Sequence, residues 1–150
     1  MQITYQFERL HHIKEEILPI LEVHAQEVDK PYLDKDIVPD VEGYLALERI
    51  GYIACIVARL EGKMVGYMIC GLLPNLHYKG TKTAETVLFY VDPSLRGKGI
   101  FRTMKDLMAK EAKRAGADTF LLAVKANRQS DRAFKRMGML PYEVKYYEKL

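Results

Sequence analysis

The stretch Val91-Asp92-Pro93-Ser94-Leu95-Arg96-Gly97-Lys98-Gly99-Ile100-Phe101 limits what this chain can fold into more than any other. Before it, residues 83–91 (TAETVLFYV) read as a strand buried on both faces toward its far end, and Asp92-Pro93 stops that strand. After it the apolar period lengthens. Ile100, Met104, Leu107, Met108, Ala112 and Ala115 mark a helix over about 98–115, closed by Gly116. Glycines at alternate positions of such a strand-to-helix turn let a ligand approach the main chain, and the first N–H groups of a helix have no internal partner. With Arg96, Lys98 and Arg102 beside them, these groups suit a phosphate or pyrophosphate; a plain structural turn is the competing reading. Neither Gly-Lys pair (Gly62-Lys63, Gly97-Lys98) is followed by Ser or Thr, which excludes the nucleotide P-loop. The dinucleotide fingerprint is excluded too, because Arg102 stands where its third glycine belongs.

The rest of the chain builds an α/β domain around this turn. Ile3, Tyr5 and Phe7 alternate as a strand over about 2–8, and Ile13, Ile17, Ile20, Leu21, His24 and Val28 recur at helical spacing over 10–29, with Pro19 inside and Pro31 beyond. An acidic loop over 31–42 and a short helix over about 40–50 come next. Residues 52–60 and 64–73 read as a hairpin. With Gly62-Lys63 as its loop residues, Cys55 would face Cys70 as two buried thiols in contact. A strand over 118–124, a helix over 128–137 capped by Asn127 or Ser130 and stopped by Gly138, and a β-rich end (MLPYEVKYYEKL) complete the order. The expectation is one domain, 1–150, with a mixed sheet flanked by helices.

Composition narrows the function classes. At 49% apolar and 29% charged, the 150 residues are those of a globular protein rather than a disordered or disulfide-stapled one. No apolar run spans a bilayer and no signal peptide is apparent, so a cytoplasmic protein without a membrane partner is expected. The net charge of +3 divides unevenly, with 9 Lys/Arg against 14 Asp/Glu up to Leu95 and 14 against 6 from Arg96 onward. Two surfaces of opposite sign, for two ligands, would explain the division; scattered solvated charge would as well. The basic residues of the last helices are not interleaved with aromatics, which argues against nucleic acid. His11-His12 lacks a second cluster at ligand spacing, so no metal is expected.

The turn Arg96-Gly97-Lys98-Gly99-Ile100-Phe101 resembles the acyl-CoA signature of the GNAT superfamily of N-acetyltransferases: Gln or Arg, two residues, Gly, one residue, then Gly or Ala. Phe101 departs at the sixth position. The run from Asn127 through Ala133, Phe134 and Lys135 to Gly138-Met139 resembles the family's second element, and the order of elements is similar as well. The resemblance implies acetyl-CoA as co-substrate. Its pantetheine arm would lie where the strand before the signature splays from its neighbour, bonded to backbone near Phe89 and Val91. Its diphosphate would sit on the amides of Arg96, Gly97, Lys98, Gly99, Ile100 and Phe101, and Asn127 and Ser130 would complete the cofactor set. The Phe89 N–H would polarise the thioester carbonyl.

Glu85, eleven residues before Arg96, resembles in its spacing the general-base glutamate of the histone-acetyltransferase branch. Strand alternation puts Glu85, Phe89 and Val91 on one face; apolar neighbours there would suit the carboxylate to take a proton from an ammonium, through a bridging water. A solvent-exposed strand-entry glutamate is the alternative. The family's general-acid tyrosine falls on Phe134, which leaves Ser130, Tyr142, Tyr146 and Tyr147 as hydroxyl candidates. Asp34, Asp36, Asp40 and Glu42 would form an acidic rim for a cationic acceptor, or serve only as surface charge. The resemblance implies an N-acetyltransferase acting on a primary amine, as monomer or homodimer. A non-catalytic acyl-CoA-binding or regulatory domain is the alternative, favoured by Phe134.

Overall fold

A computed structural model describes residues 2–28, 37–125, 128–148 and 150, with the backbone alone for 128–130. The elements run β1 (Ile3–Phe7), α1 (Leu10–Val28), α2 (Val41–Arg49), β2 (Ile53–Leu60), β3 (Lys63–Pro74), β4 (Lys82–Val91), a 3-10 turn (Pro93–Leu95), α3 (Ile100–Arg114), β5 (Thr119–Leu121) and α4 (Arg128–Arg136). The five strands form one sheet in chain order. β1 to β4 are antiparallel, and β5 lies parallel to β4 after the α3 crossover. This is the mixed sheet with flanking helices that the sequence predicts. The β-rich end is the exception. Residues 139–148 carry no strand, and Tyr142, Val144 and Tyr146 are exposed. β-branched and aromatic residues form a strand only where an edge is offered, and β5 is just three residues long.

Alternation along β2 and β3 divides the core in two. Cys55, Val57, Tyr67 and Ile69 meet Leu10, Ile13 and Ile17 of α1 and Leu45 of α2 on one face. Ile56, Met68 and Cys70 meet Ile100, Met104 and Met108 of α3 on the other. α3 comes close to the sheet at Gly66, where a Cβ would stand 2.9 Å from the Tyr90 carbonyl and 3.4 Å from Met104 Cε. Only glycine admits that approach.

The hairpin corrects the expected cysteine pair. Glu61 and Gly62, not Gly62 and Lys63, form the turn, both with positive φ (51° and 82°), and Leu60 faces Lys63. A bulge between Ala58 and Arg59 shifts the ladder once more, so Cys55 faces Ile69 and Cys70 faces Ala54. The thiols therefore belong to opposite core layers. Burial pushes the Cys70 thiol up to about 12 and raises Cys55 as well, so neither is a nucleophile at neutral pH.

Arg59 ties the hairpin to the first helix. Its guanidinium donates to both carboxylate oxygens of Glu8 (2.7 and 3.0 Å), both of Glu16 (2.8 Å each) and the Gly62 carbonyl (2.8 Å). Its side chain is only 17% exposed, between the surface pairs that contribute little and the buried ones whose loss costs most. Arg59→Met should lower the unfolding free energy by about 2 kcal/mol at neutral pH in urea titrations. Arg59 holds the Glu16 carboxyl below its ordinary value. That part of the stabilisation is present above the ordinary carboxylate value and fades as pH falls through the lowered one, so variant and parent should converge in acid.

Candidate active site

β4 shares one edge with β3 along its length but the other with β5 only at Thr83, Ala84 and Glu85. From Thr86 onward the two chains part. The Thr86 hydroxyl, buried, accepts the Ala123 N–H at 2.9 Å, a side-chain bond where a backbone ladder would otherwise continue. The Asp92 N–H donates to the Val65 carbonyl of β3 (2.9 Å), and alternation then turns the N–H and C=O of Phe89 and Val91 toward the edge β5 does not reach. A fixed amide donor thus lines a narrow opening beside β4.

The strand leads directly into the turn. Asp92 Oδ1 accepts from the Ser94 N–H (2.9 Å) and hydroxyl (2.6 Å), and buried Leu95 anchors the 3-10 segment. Gly97 and Gly99 take left-handed conformations (φ 78° and 83°), and beyond the adjoining residues no atom lies within 4 Å of where either Cβ would be. Glycine is needed there for backbone conformation, while the space above the turn stays open. The Thr103 N–H is the first of α3 to reach back to Gly99 O (3.0 Å), so the Ile100, Phe101 and Arg102 amides have no intrahelical acceptor. The first turn holds no acidic residue, and Lys98 and Arg102 are exposed beside it. Open space, three convergent amides and the positive end of a helix dipole fit a diphosphate.

Arg96 does something other than the phosphate contact expected of its side chain. Its fork grips both oxygens of Glu27 at the end of α1 (2.5 and 2.8 Å), its Nε donates to the Val91 carbonyl (3.0 Å), and it lies 5.9 Å over the Tyr90 ring. Its own N–H points back to Pro93 O (3.4 Å). The charge is committed to bracing the turn against α1, and the pair holds Glu27 below and Arg96 above its ordinary value. Behind it, His24 Nδ1 and the Tyr67 hydroxyl are 2.7 Å apart, both buried. Glu27 and Tyr90 carried no sequence signal for this role, since Glu27 is 69 residues from Arg96.

Glu85 does not share a face with Phe89 and Val91. Between Ile69 and Cys70 the register slips, Leu88 facing Ile69 and Thr86 facing Cys70, so Val87 is an inserted residue. The insertion reverses the alternation. Phe89 and Val91 pack on the α3 side, whereas Glu85 faces Gly71, and Leu88 joins the α1/α2 layer. A side chain at Gly71 would meet Val87 Cγ2 at 3.7 Å, which places Val87 on that side too. Nor is Glu85 surrounded by apolar groups. Its carboxylate accepts from Lys145 Nζ (3.1 Å) and is 37% exposed, and the pair raises the Lys145 value.

Phe101, where the resemblance expects Gly or Ala, packs between Phe89 (ring centroids 4.9 Å) and Phe134 (5.8 Å). The position of the family's acid is therefore filled with rings. Tyr142, Tyr146 and Tyr147 are exposed on the terminal segment. Asn127, Asp34 and Asp36 lie outside the described residues, as does the Ser130 side chain. Asp40 is spent as the cap of α2, accepting from Gly43 N–H at 2.9 Å, which leaves exposed Glu42 as the described part of the supposed acidic rim. Among the described residues no cluster of His, Cys, Asp or Glu could hold a metal, and no helix is long and apolar enough to cross a membrane.

The pattern of the Acetyltransferase (GNAT) family matches residues 10–139. No curated protein matches the sequence. Solved structures do resemble it. A ribosomal-protein-alanine N-acetyltransferase from Brucella melitensis biovar Abortus 2308 superposes with TM-score 0.74 at 21% identity over 99% of both chains. An aminoglycoside acetyltransferase from an uncultured soil metagenomic sample gives 0.77 at 14% over 100% of this chain and 99% of its own. Glucosamine-6-phosphate N-acetyltransferase from Arabidopsis thaliana gives 0.75 at 13% over 99% of both. At these identities the likeness is one of fold.

If Arg96 is a brace, Glu27→Gln should weaken coenzyme A binding several-fold in calorimetry, because an amide replaces one half of a charge-assisted fork worth about 1 kcal/mol. Unchanged or tighter binding would mean that Arg96 reaches the anion itself.

Proposed function

Because the chain belongs to the GNAT acetyltransferase family, we propose that it moves an acetyl group from acetyl-CoA to a primary amine by direct attack, as one domain over residues 1–150. The acceptor is a small-molecule amine or a lysine or N-terminus of a protein or peptide. The observation that carries this reading is the open edge of β4 running straight into a helix start with unpartnered amides. Coenzyme A would supply an acetyl group already activated as a thioester. The amides of Gly97 to Arg102 would hold its anionic end, with Lys98 and Arg102 adding charge. The edge groups of Phe89 and Val91 would bond the arm, although the Val91 carbonyl already accepts from Arg96. The Phe89 N–H would donate to the thioester oxygen, where negative charge grows as the amine attacks.

In the transfer an N–C bond forms as the C–S bond breaks. The sulfur leaves with the bond's electron pair, and the nitrogen's surplus proton goes through water to Glu85. A thiol with a pKa of about 8.5 leaves as thiolate without a strong acid beside it, so Phe134 does not forbid turnover. Glu85 lies on the α1/α2 face, and Lys145 competes for it. The ring-filled acid position favours the second reading, an acyl-CoA-binding module without turnover.

Thiol release from acetyl-CoA over a panel of amines separates the two. Turnover is expected, with Glu85→Gln lowering kcat/KM about 100-fold at unchanged coenzyme A affinity, and Lys145→Ala lowering it little or raising it. An undiminished rate in Glu85→Gln would move the proton to another acceptor. Tight binding without thiol release on any amine would establish the binding module.

A further inference from the structure

On the α1/α2 face a groove opens between the two helices and the sheet. Ile17 and Leu21 of α1, Tyr44 and Leu45 of α2, and Ile69 and Leu88 of the sheet line it with carbon. Its floor is the Ile69–Leu88 pair, the last regular pair before the Val87 insertion. Leu88 is joined by a single peptide bond to Phe89, whose N–H is the proposed carbonyl donor. A molecule seated in the groove therefore lies beside the reacting position. Because the insertion turns Leu88 into this layer and Phe89 out of it, the same irregularity places the groove there.

Size and charge select an occupant. The groove is open to solvent on one side and offers about 30 Å³ to the centres of water-sized groups. At roughly 10–15 Å³ for each water-sized group, that suits the short branched end of an aliphatic side chain better than a ring. No carboxylate lines the groove among the described residues, and the charged group at its side, Lys14, is positive. Nearby Asp40 is occupied as a helix cap, and Glu85 by Lys145. A cationic side chain entering here would lose water and gain no counter-charge from the described lining. Tyr44 reports the same environment, since burial alone raises its hydroxyl above the ordinary value.

Resting on the transferase reading above, we infer that the groove takes an aliphatic side chain carried next to the attacking amine, so that the acceptor is an amine of leucine-like rather than cationic character.

Three acceptors with the same attacking group test this with the purified full chain: glycinamide, leucinamide and argininamide, followed by thiol release from acetyl-CoA. Leucinamide should exceed both others in kcat/KM by tenfold or more. Leu18→Trp, which enters the groove from a half-buried position on α1, should erase that preference while coenzyme A binding shows the fold intact. Lys14→Glu, which reverses the one charge at the groove's described lining and shortens its stem, should shift the ratio toward argininamide. Turnover with argininamide equal to or above leucinamide overturns the inference and leaves the transferase reading standing. A leucinamide preference that survives Leu18→Trp overturns the assignment to this groove. No turnover with any acceptor overturns both.

Discussion

β4 gives up its second neighbour after Glu85, and the remaining structure follows from how that gap is kept open. A parallel pair held by only three register positions would ordinarily zip further, since unpaired backbone groups at an edge favour a partner. Here the Thr86 hydroxyl takes the Ala123 amide instead, and the chain after β5 diverges. The far side of β4 is meanwhile fixed by its ladder to β3, which is broken once at the Val87 insertion, and by buried Tyr90 and Val91. One edge of the strand is rigid and the other is available. That asymmetry turns the Phe89 peptide into a preorganised donor rather than one more rung of a sheet.

For coenzyme A to bind as proposed, the gap has to connect to something that holds an anion, and the turn after β4 would make the connection by geometry more than by charge. Two left-handed glycines carry the chain over the end of the sheet, and the amides of α3 emerge facing open space. The arginine that opens the signature is turned inward, joined to Glu27, Val91 and Tyr90. Its contribution is stiffness: it fastens the turn to α1, so that an anion binding as proposed would meet amides already in place. Phe101 contributes in the same sense. It joins Phe89 to Phe134 and packs the start of α3 against the strand and the last helix.

Elements whose periods change sharply were legible in the sequence. The strand ending at Asp92, the helix from Ile100 and the hairpin all stand where the apolar spacing puts them, and the glycine turn was legible because the strand-to-helix change flanks it. What the spacing misreads are single-residue irregularities. A turn at Glu61-Gly62 and a bulge at Ala58 and Arg59 part Cys55 from Cys70, and the insertion of Val87 carries Glu85 to the opposite face from Phe89. Period-two reasoning assumes an unbroken pleat, and one extra residue reverses every assignment beyond it. Long-range pairs such as Arg96 with Glu27 leave no local trace. The terminal β-rich segment shows the complementary error, propensity without an edge to join.

Everything proposed for this site requires the bare amides at the head of α3 to bind the anionic end of coenzyme A. Calorimetric titration of coenzyme A into Gly99→Asp, with circular dichroism to show that the fold persists, tests it most directly. A carboxylate placed among those amides, on a residue forced out of the left-handed conformation, should weaken binding at least 100-fold, and dephosphorylated fragments of coenzyme A lacking the diphosphate should bind parent and variant alike. A folded Gly99→Asp protein that binds coenzyme A as tightly as the parent would contradict the account.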